Sequence, residues 1–120
     1  MTIDAPTIVA LWLARADTSA NETGMLVKRD GTYQPVTWSE IRRDANRVAA
    51  ALIKLGIEPG DRVALVSRNR YEWIVCDLAI QLALAIHVPV HSSLAGPQIA
   101  YQIVDSGSKV VIVSGPDQAE

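Results

Sequence analysis

Cys76, Asp77, His87 and His91 are the residue types from which a nucleophile, a base and an orienting carboxylate are assembled. A thiol deprotonated by an imidazole that a carboxylate holds in place would attack a carbonyl carbon. The surroundings of Cys76 argue against that chemistry. It sits inside Trp73-Ile74-Val75-Cys76-Asp77-Leu78-Ala79, an apolar run of helical character, where cysteine behaves as a small hydrophobe. His87 and His91 fall on a strand and its exit rather than on one helix face, and no third ligand accompanies them. No catalytic residue and no metal site is therefore expected.

Two short loops have the better claim to a ligand. Ser67-Arg68-Asn69-Arg70 and His91-Ser92-Ser93 each follow a predicted strand and precede a predicted helix. In open α/β sheets ligands bind beyond the carboxyl ends of the strands, where helix N-termini present free N–H groups. Arg68, Asn69, His91 and Ser92 are the candidates for holding an anion there. For the first loop, a solvated helix cap with exposed arginines accounts for the same residues equally simply. Elsewhere no glycine trio has dinucleotide-fingerprint spacing and no Gly-Lys-Ser/Thr closes a phosphate loop.

The elements that position these loops lie between Gly60 and Gly115. Three runs, at about 62–67, 86–90 and 109–114, are rich in β-branched residues and none alternates. Continuous apolar strands are what a parallel sheet requires when helices cover both of its faces. The connections exceed the dozen or so residues that a parallel crossover needs. An α/β fold with a parallel βαβαβ core follows. Pro89 removes a ladder donor, so its strand belongs at an edge or beside an irregularity.

Upstream, Ile8, Leu11, Trp12 and Ala16 have the spacing of a short helix. Met25–Lys28 and Tyr33–Val36 flank Asp30-Gly31, the pattern of a β-hairpin. Thr37-Trp38-Ser39-Glu40 fits a capping box. The helix that it opens carries Ile41, Ala45, Val48, Leu52 and Leu55 on one stripe, and Gly56 supplies its left-handed end. Residues 69–72 are expected to cap the next helix, which is apolar nearly all round. Pro97 and Gly107 bracket the last one.

Composition removes several functions. In 120 residues, 11 basic and 13 acidic side chains are well mixed and give a net charge of -2, which offers nothing to nucleic acid or to an anionic membrane. One cysteine cannot form an internal disulfide, and no signal-peptide pattern opens the chain. Trp73–Val90 is interrupted by Asp77, Gln81, His87 and Pro89 and is no membrane span. A cytoplasmic protein is expected.

Taken in order, Thr37-Trp38-Ser39-Glu40, Leu55-Gly56-Ile57, Pro59-Gly60-Asp61-Arg62-Val63-Ala64, Ser67-Arg68-Asn69, Ile86-His87-Val88-Pro89-Val90 and Ile103-Val104-Asp105-Ser106-Gly107-Ser108-Lys109 resemble the N-terminal part of the adenylate-forming (AMP-binding) acyl-CoA synthetase superfamily. The resemblance runs from about residue 37 to 114 and is strongest to long-chain fatty acid CoA ligases. Ala83-Leu84-Ala85 departs from it, because members commonly have glycine before the second core strand.

The resemblance implies an enzyme that joins a carboxylic acid to ATP, with magnesium, as an acyl-adenylate and then passes the acyl group to coenzyme A. It also implies a phosphate loop, a nucleotide pocket and a C-terminal domain, none of which this sequence contains. No family site residue maps onto a position here, and no cofactor is expected on this chain. The expectation is a partial N-terminal domain, residues 1–120, inactive alone, whose apolar sheet is covered by the remainder of the synthetase. The alternative is a stand-alone α/β interaction module that dimerises or docks on a protein partner.

Overall fold

A computed structural model of the protein describes residues 8–68 and 70–113. The elements run α1 (Ile8–Thr18), β1 (Thr23–Arg29), β2 (Thr32–Thr37), α2 (Trp38–Lys54), β3 (Arg62–Val66), α3 (Tyr71–Leu82), β4 (Ile86–Val90), α4 (Gly96–Ser106) and β5 (Val110–Val113). β1 and β2 form the expected antiparallel hairpin. Its turn residues Asp30 and Gly31 have φ of 52° and 79°, the paired positive values that a two-residue hairpin loop needs.

β3, β4 and β5 form a parallel sheet in the order β4-β3-β5. The strands match the sequence expectation to within a residue at each described end. Lys109 stays outside the ladder, although its N–H donates to Arg62 O at 2.8 Å. Position 114 lies outside the described residues. Pro89 is on the edge strand β4, opposite Leu65, so its missing donor interrupts no central ladder.

Helices cover both faces of β3. Val63 packs with Leu52, Ile57 and Ile80 on one side. Ala64 and Val66 pack with Val90 and Ile99 on the other. Val63, Ala64, Leu65 and Val66 are at most 2% exposed. Each such valine or leucine contributes about 1.5–3 kcal/mol on burial, which makes β3 the anchor of the fold. The covering thins outward. Val111 on β5 and Tyr101 and Val104 on α4 stay exposed.

Local chemistry explains most boundaries. Thr37 Oγ1 accepts from Glu40 N–H at 3.1 Å and starts α2. The reciprocal bond from Glu40 does not form among the described residues. α2 ends in a Schellman closure, with Ile57 N–H on Leu52 O and Gly56 N–H on Ile53 O. α3 and α4 end the same way, around Leu84 and Gly107. Pro59 and Gly60 make the tight turn into β3, where Asp61 N–H donates to Glu58 O at 3.0 Å.

Three expectations need correction. Leu55 is exposed, and the stripe of α2 uses Ala49 instead and hands over to the buried Ile57. Leu55 keeps a right-handed helical backbone (φ -75°, ψ -5°) at the end of the helix, and the chain turns only at Gly56. At α3, Arg70 is the N-cap and makes no capping bond with its side chain, which pairs with Glu72 at 3.2 Å; Asn69 lies outside the described residues. α3 is also less enclosed than expected. Ile80 is fully buried but Ile74 is exposed, beside a groove that no described element fills.

Candidate functional site

Parallel pairing puts the two candidate loops side by side. Val66 and Val90, the last residues of β3 and β4, are register partners. Ser67 and Arg68 leave the first strand, and His91 and Ser92 leave the second. Arg68 and His91 are exposed, and Ser92 is half-buried. Asn69 lies outside the described residues. Ser67 Oγ donates to Arg68 O at 3.0 Å, and Leu94 N–H donates to His91 O at 3.3 Å, so both loops are tied mainly to themselves.

A cleft of about 190 Å³ opens between the carboxyl ends of β3 and β5 and the start of α3. Ser67, Arg70, Glu72, Trp73 and Cys76 line it with Leu65, Ile112 and Val113. Burial, and secondarily the charge of Glu72, push the Cys76 thiol above its ordinary value. A thiol held protonated is a poor nucleophile. No hydrogen bond reaches it among the described residues, and His87 is not in the lining.

The structure instead joins the other two members of the suspected triad. His87 Nδ1 lies 2.6 Å from Asp77 Oδ1, and Asp77 also accepts from Gln81 Nε2 at 3.2 Å. The Trp73 ring packs on His87 at 5.3 Å between centroids. His87 Nε2 is buried without a partner among the described residues. His91 takes no part. An imidazole enclosed between a helix and an edge strand, with no reactive group at its free nitrogen, positions the α3–β4 contact and performs no chemistry that the described residues reveal.

A larger groove, about 880 Å³, runs between residues 25–29 of β1 and residues 70–74 at the start of α3. Tyr71 is one of the residues that line it. The phenol donates to Asp44 Oδ2 at 2.6 Å, and burial together with that bond raises its pKa far above the ordinary value. Arg29 lies over the Tyr71 ring at 5.9 Å. The sequence marked Arg70 only as a loop cation and Trp73 only as an apolar intruder on α3. Their shared position, lining both hollows, had no signal in the spacing. Among the described residues no cluster of histidine, cysteine and carboxylate side chains could hold a metal ion. None of the described helices is long and apolar enough to cross a membrane.

A family model described as AMP-binding enzyme matches residues 13–120. The chain is 33% identical over 105 residues to Long-chain-fatty-acid–CoA ligase FadD13 of Mycobacterium tuberculosis, covering 88% of this chain and 21% of that one. It is 33% identical over 90 residues to Long-chain-fatty-acid–CoA ligase FadD15 of Mycobacterium bovis, covering 75% and 15%. An inhibitor-bound crystal structure of the N-terminal domain of FACL13 from Mycobacterium tuberculosis superposes with a TM-score of 0.78 at 33% identity, covering 85% of this chain and 25% of that one. The chain thus spans about a fifth of the length of the curated ligases that it matches.

Proposed function

The chain belongs to the AMP-binding enzyme family, and on that premise we propose that residues 1–120 form part of the N-terminal domain of an ATP-dependent fatty acid CoA ligase and carry no activity alone. The reaction of the whole enzyme is written in two steps. The carboxylate of the acid displaces pyrophosphate from ATP to give an acyl-adenylate, and the thiol of coenzyme A then displaces AMP. The observation that carries the reading is the alignment with FadD13, which takes up 88% of this chain but 21% of the ligase.

Within this reading ATP, magnesium and coenzyme A are held by residues outside these 120. The sequence lacks a phosphate loop, and the described residues offer no metal cluster. Arg68, His91 and Ser92 are loop residues that an anion could approach, Asn69 lies outside the described residues, and none of the four is assigned a reactive role. The single cysteine, which cannot form an internal disulfide, favours a reducing, cytoplasmic setting. The test is acid-dependent pyrophosphate release by the purified 120 residues. No release above an empty-vector control is expected, and clear release overturns the claim of inactivity.

A further inference from the structure

α2 and α3 run side by side in the same direction. Ile41 and Ala45 near the start of α2 pack with Val75 and Leu78 of α3, and Leu52 near its end packs with Ile80. Both helices therefore finish where the strands begin. Their exits are joined there, because Gly60 N–H donates to Leu84 O at 2.9 Å and Ile86 N–H donates to Asp61 O at 2.7 Å. α2 and α4 close on a glycine in the left-handed region, at Gly56 and Gly107, whereas α3 closes on Leu84. A Cβ makes that conformation unfavourable, and such strain persists where a contact of the side chain compensates it. Within the chain there is little such contact. Leu84 is 66% exposed.

Leu84 has apolar company at this pole. Ile53 and Leu55, at the end of α2, are 57% and 68% exposed. Ile53 lies four and eight residues after the buried Ala49 and Ala45, so it continues by one turn the stripe that faces α3. Exposed apolar side chains grouped inside a polar rim mark an interaction site. The rim carries both signs. Lys54 and Glu58 lie on either side of Leu55 in the chain, both are exposed, and neither has an ion-pair partner among the described residues. Asp61 and Lys109, by contrast, already satisfy each other at 3.3 Å. An unpaired cation beside an unpaired anion makes the surface complementary to itself, since a twofold axis sets each against the other's opposite charge.

We propose that this amino-end pole is a contact between two copies of the chain, with Ile53, Leu55 and Leu84 at its centre and Lys54 of each copy paired with Glu58 of the other. Three apolar side chains make a small interface, so the association is weak and reversible. The pole is at the opposite end of the sheet from the loops after β3 and β4. Pairing there leaves those loops open, and the inference does not rest on the ligase reading.

The experiment is sedimentation equilibrium of the 120-residue chain between roughly 5 and 500 µM, where a monomer–dimer equilibrium with a Kd of about 50 µM is expected. Leu84→Gly is expected to weaken it by about tenfold or more, without lowering the melting temperature at the dilute end, which separates a lost contact from a lost fold. Leu84→Asn, which also suits the left-handed region, is expected to act in the same way. Lys54→Glu is expected to weaken the dimer by about threefold or more, and combining it with Glu58→Lys to restore it. A chain that stays monomeric over the whole range overturns the inference. Association that both Leu84 variants leave unaltered overturns it too and assigns the contact to an open sheet edge or to the exposed side of α4. A dimer that the charge exchange does not restore overturns the twofold pairing.

Discussion

His87 and Asp77, ten residues apart in sequence, meet at 2.6 Å and tie α3 to the edge strand β4. Both side chains are largely withdrawn from water. Removing one partner leaves the other with a polar group that has lost its bond, which costs about 1–3 kcal/mol. Asp77→Ala should therefore lower the unfolding free energy of the 120-residue chain by that amount, read as a fall in its urea midpoint. Adding His87→Leu to Asp77→Ala should recover part of the loss, because no imidazole then remains buried without a bond. Equal midpoints for Asp77→Ala and the unaltered chain would show that the pair contributes nothing.

Leu84 occupies a place that suits glycine. Its φ of 61° lies in the left-handed region, as do Gly56 at 99° and Gly107 at 70°, and all three residues follow the last turn of a helix. For a side chain with a Cβ that conformation costs about 1–2 kcal/mol. Leu84 is 66% exposed, so little packing is lost with it. Leu84→Gly should raise the melting temperature by about 4 °C. A melting temperature that falls would mean that the leucine side chain contributes more than its backbone strain removes.

The amino end of the sheet carries a pH dependence. Asp61 accepts from Glu58 N–H at 2.8 Å and from Lys109 Nζ at 3.3 Å, and the same ammonium donates to Gly56 O at 2.9 Å. The Glu58 bond first, and Lys109 second, hold the Asp61 carboxyl below its ordinary value. A carboxyl whose pKa is depressed by folding stabilises the fold above its unfolded value of about 3.9, and that stabilisation is lost as the pH falls through the folded value. Asp61→Asn should flatten the acid limb of the stability profile in this window and leave its slope near neutrality unchanged. An unaltered acid limb would place the dependence elsewhere.

The sequence announced what local chemistry decides. Thr37 before an amphipathic run, Gly56 and Gly107 after one, Asp30-Gly31 between alternating segments and three unbroken apolar strands each have one reading, and the structure follows them. Pro89 called for an edge, an irregularity or a shortened strand, and its strand stands at the edge of the described sheet. Features that depend on where the chain has been carried were not legible. Ile57 replaces Leu55 in the core because the closure after Leu52 swings the backbone. Arg70 falls at the N-cap of α3 and satisfies none of its first-turn N–H groups, because a guanidinium carries no acceptor. The loops after β3 and β4 could be placed by pattern, whereas the groove along β1 exists only once a hairpin and a helix start, some 40 residues apart, face each other.

β3 comes first in sequence among the three sheet strands yet stands between the other two. During synthesis it emerges from the ribosome with both ladder edges open. Its first neighbour arrives with residues 86–90 and its second only with residues 110–113. Loop closures of this span slow folding and leave hydrophobic strands exposed to other chains. Until residues 86–90 emerge, the most deeply buried strand of the sheet has no ladder partner on either side, and this is the interval in which a chaperone has most to bind.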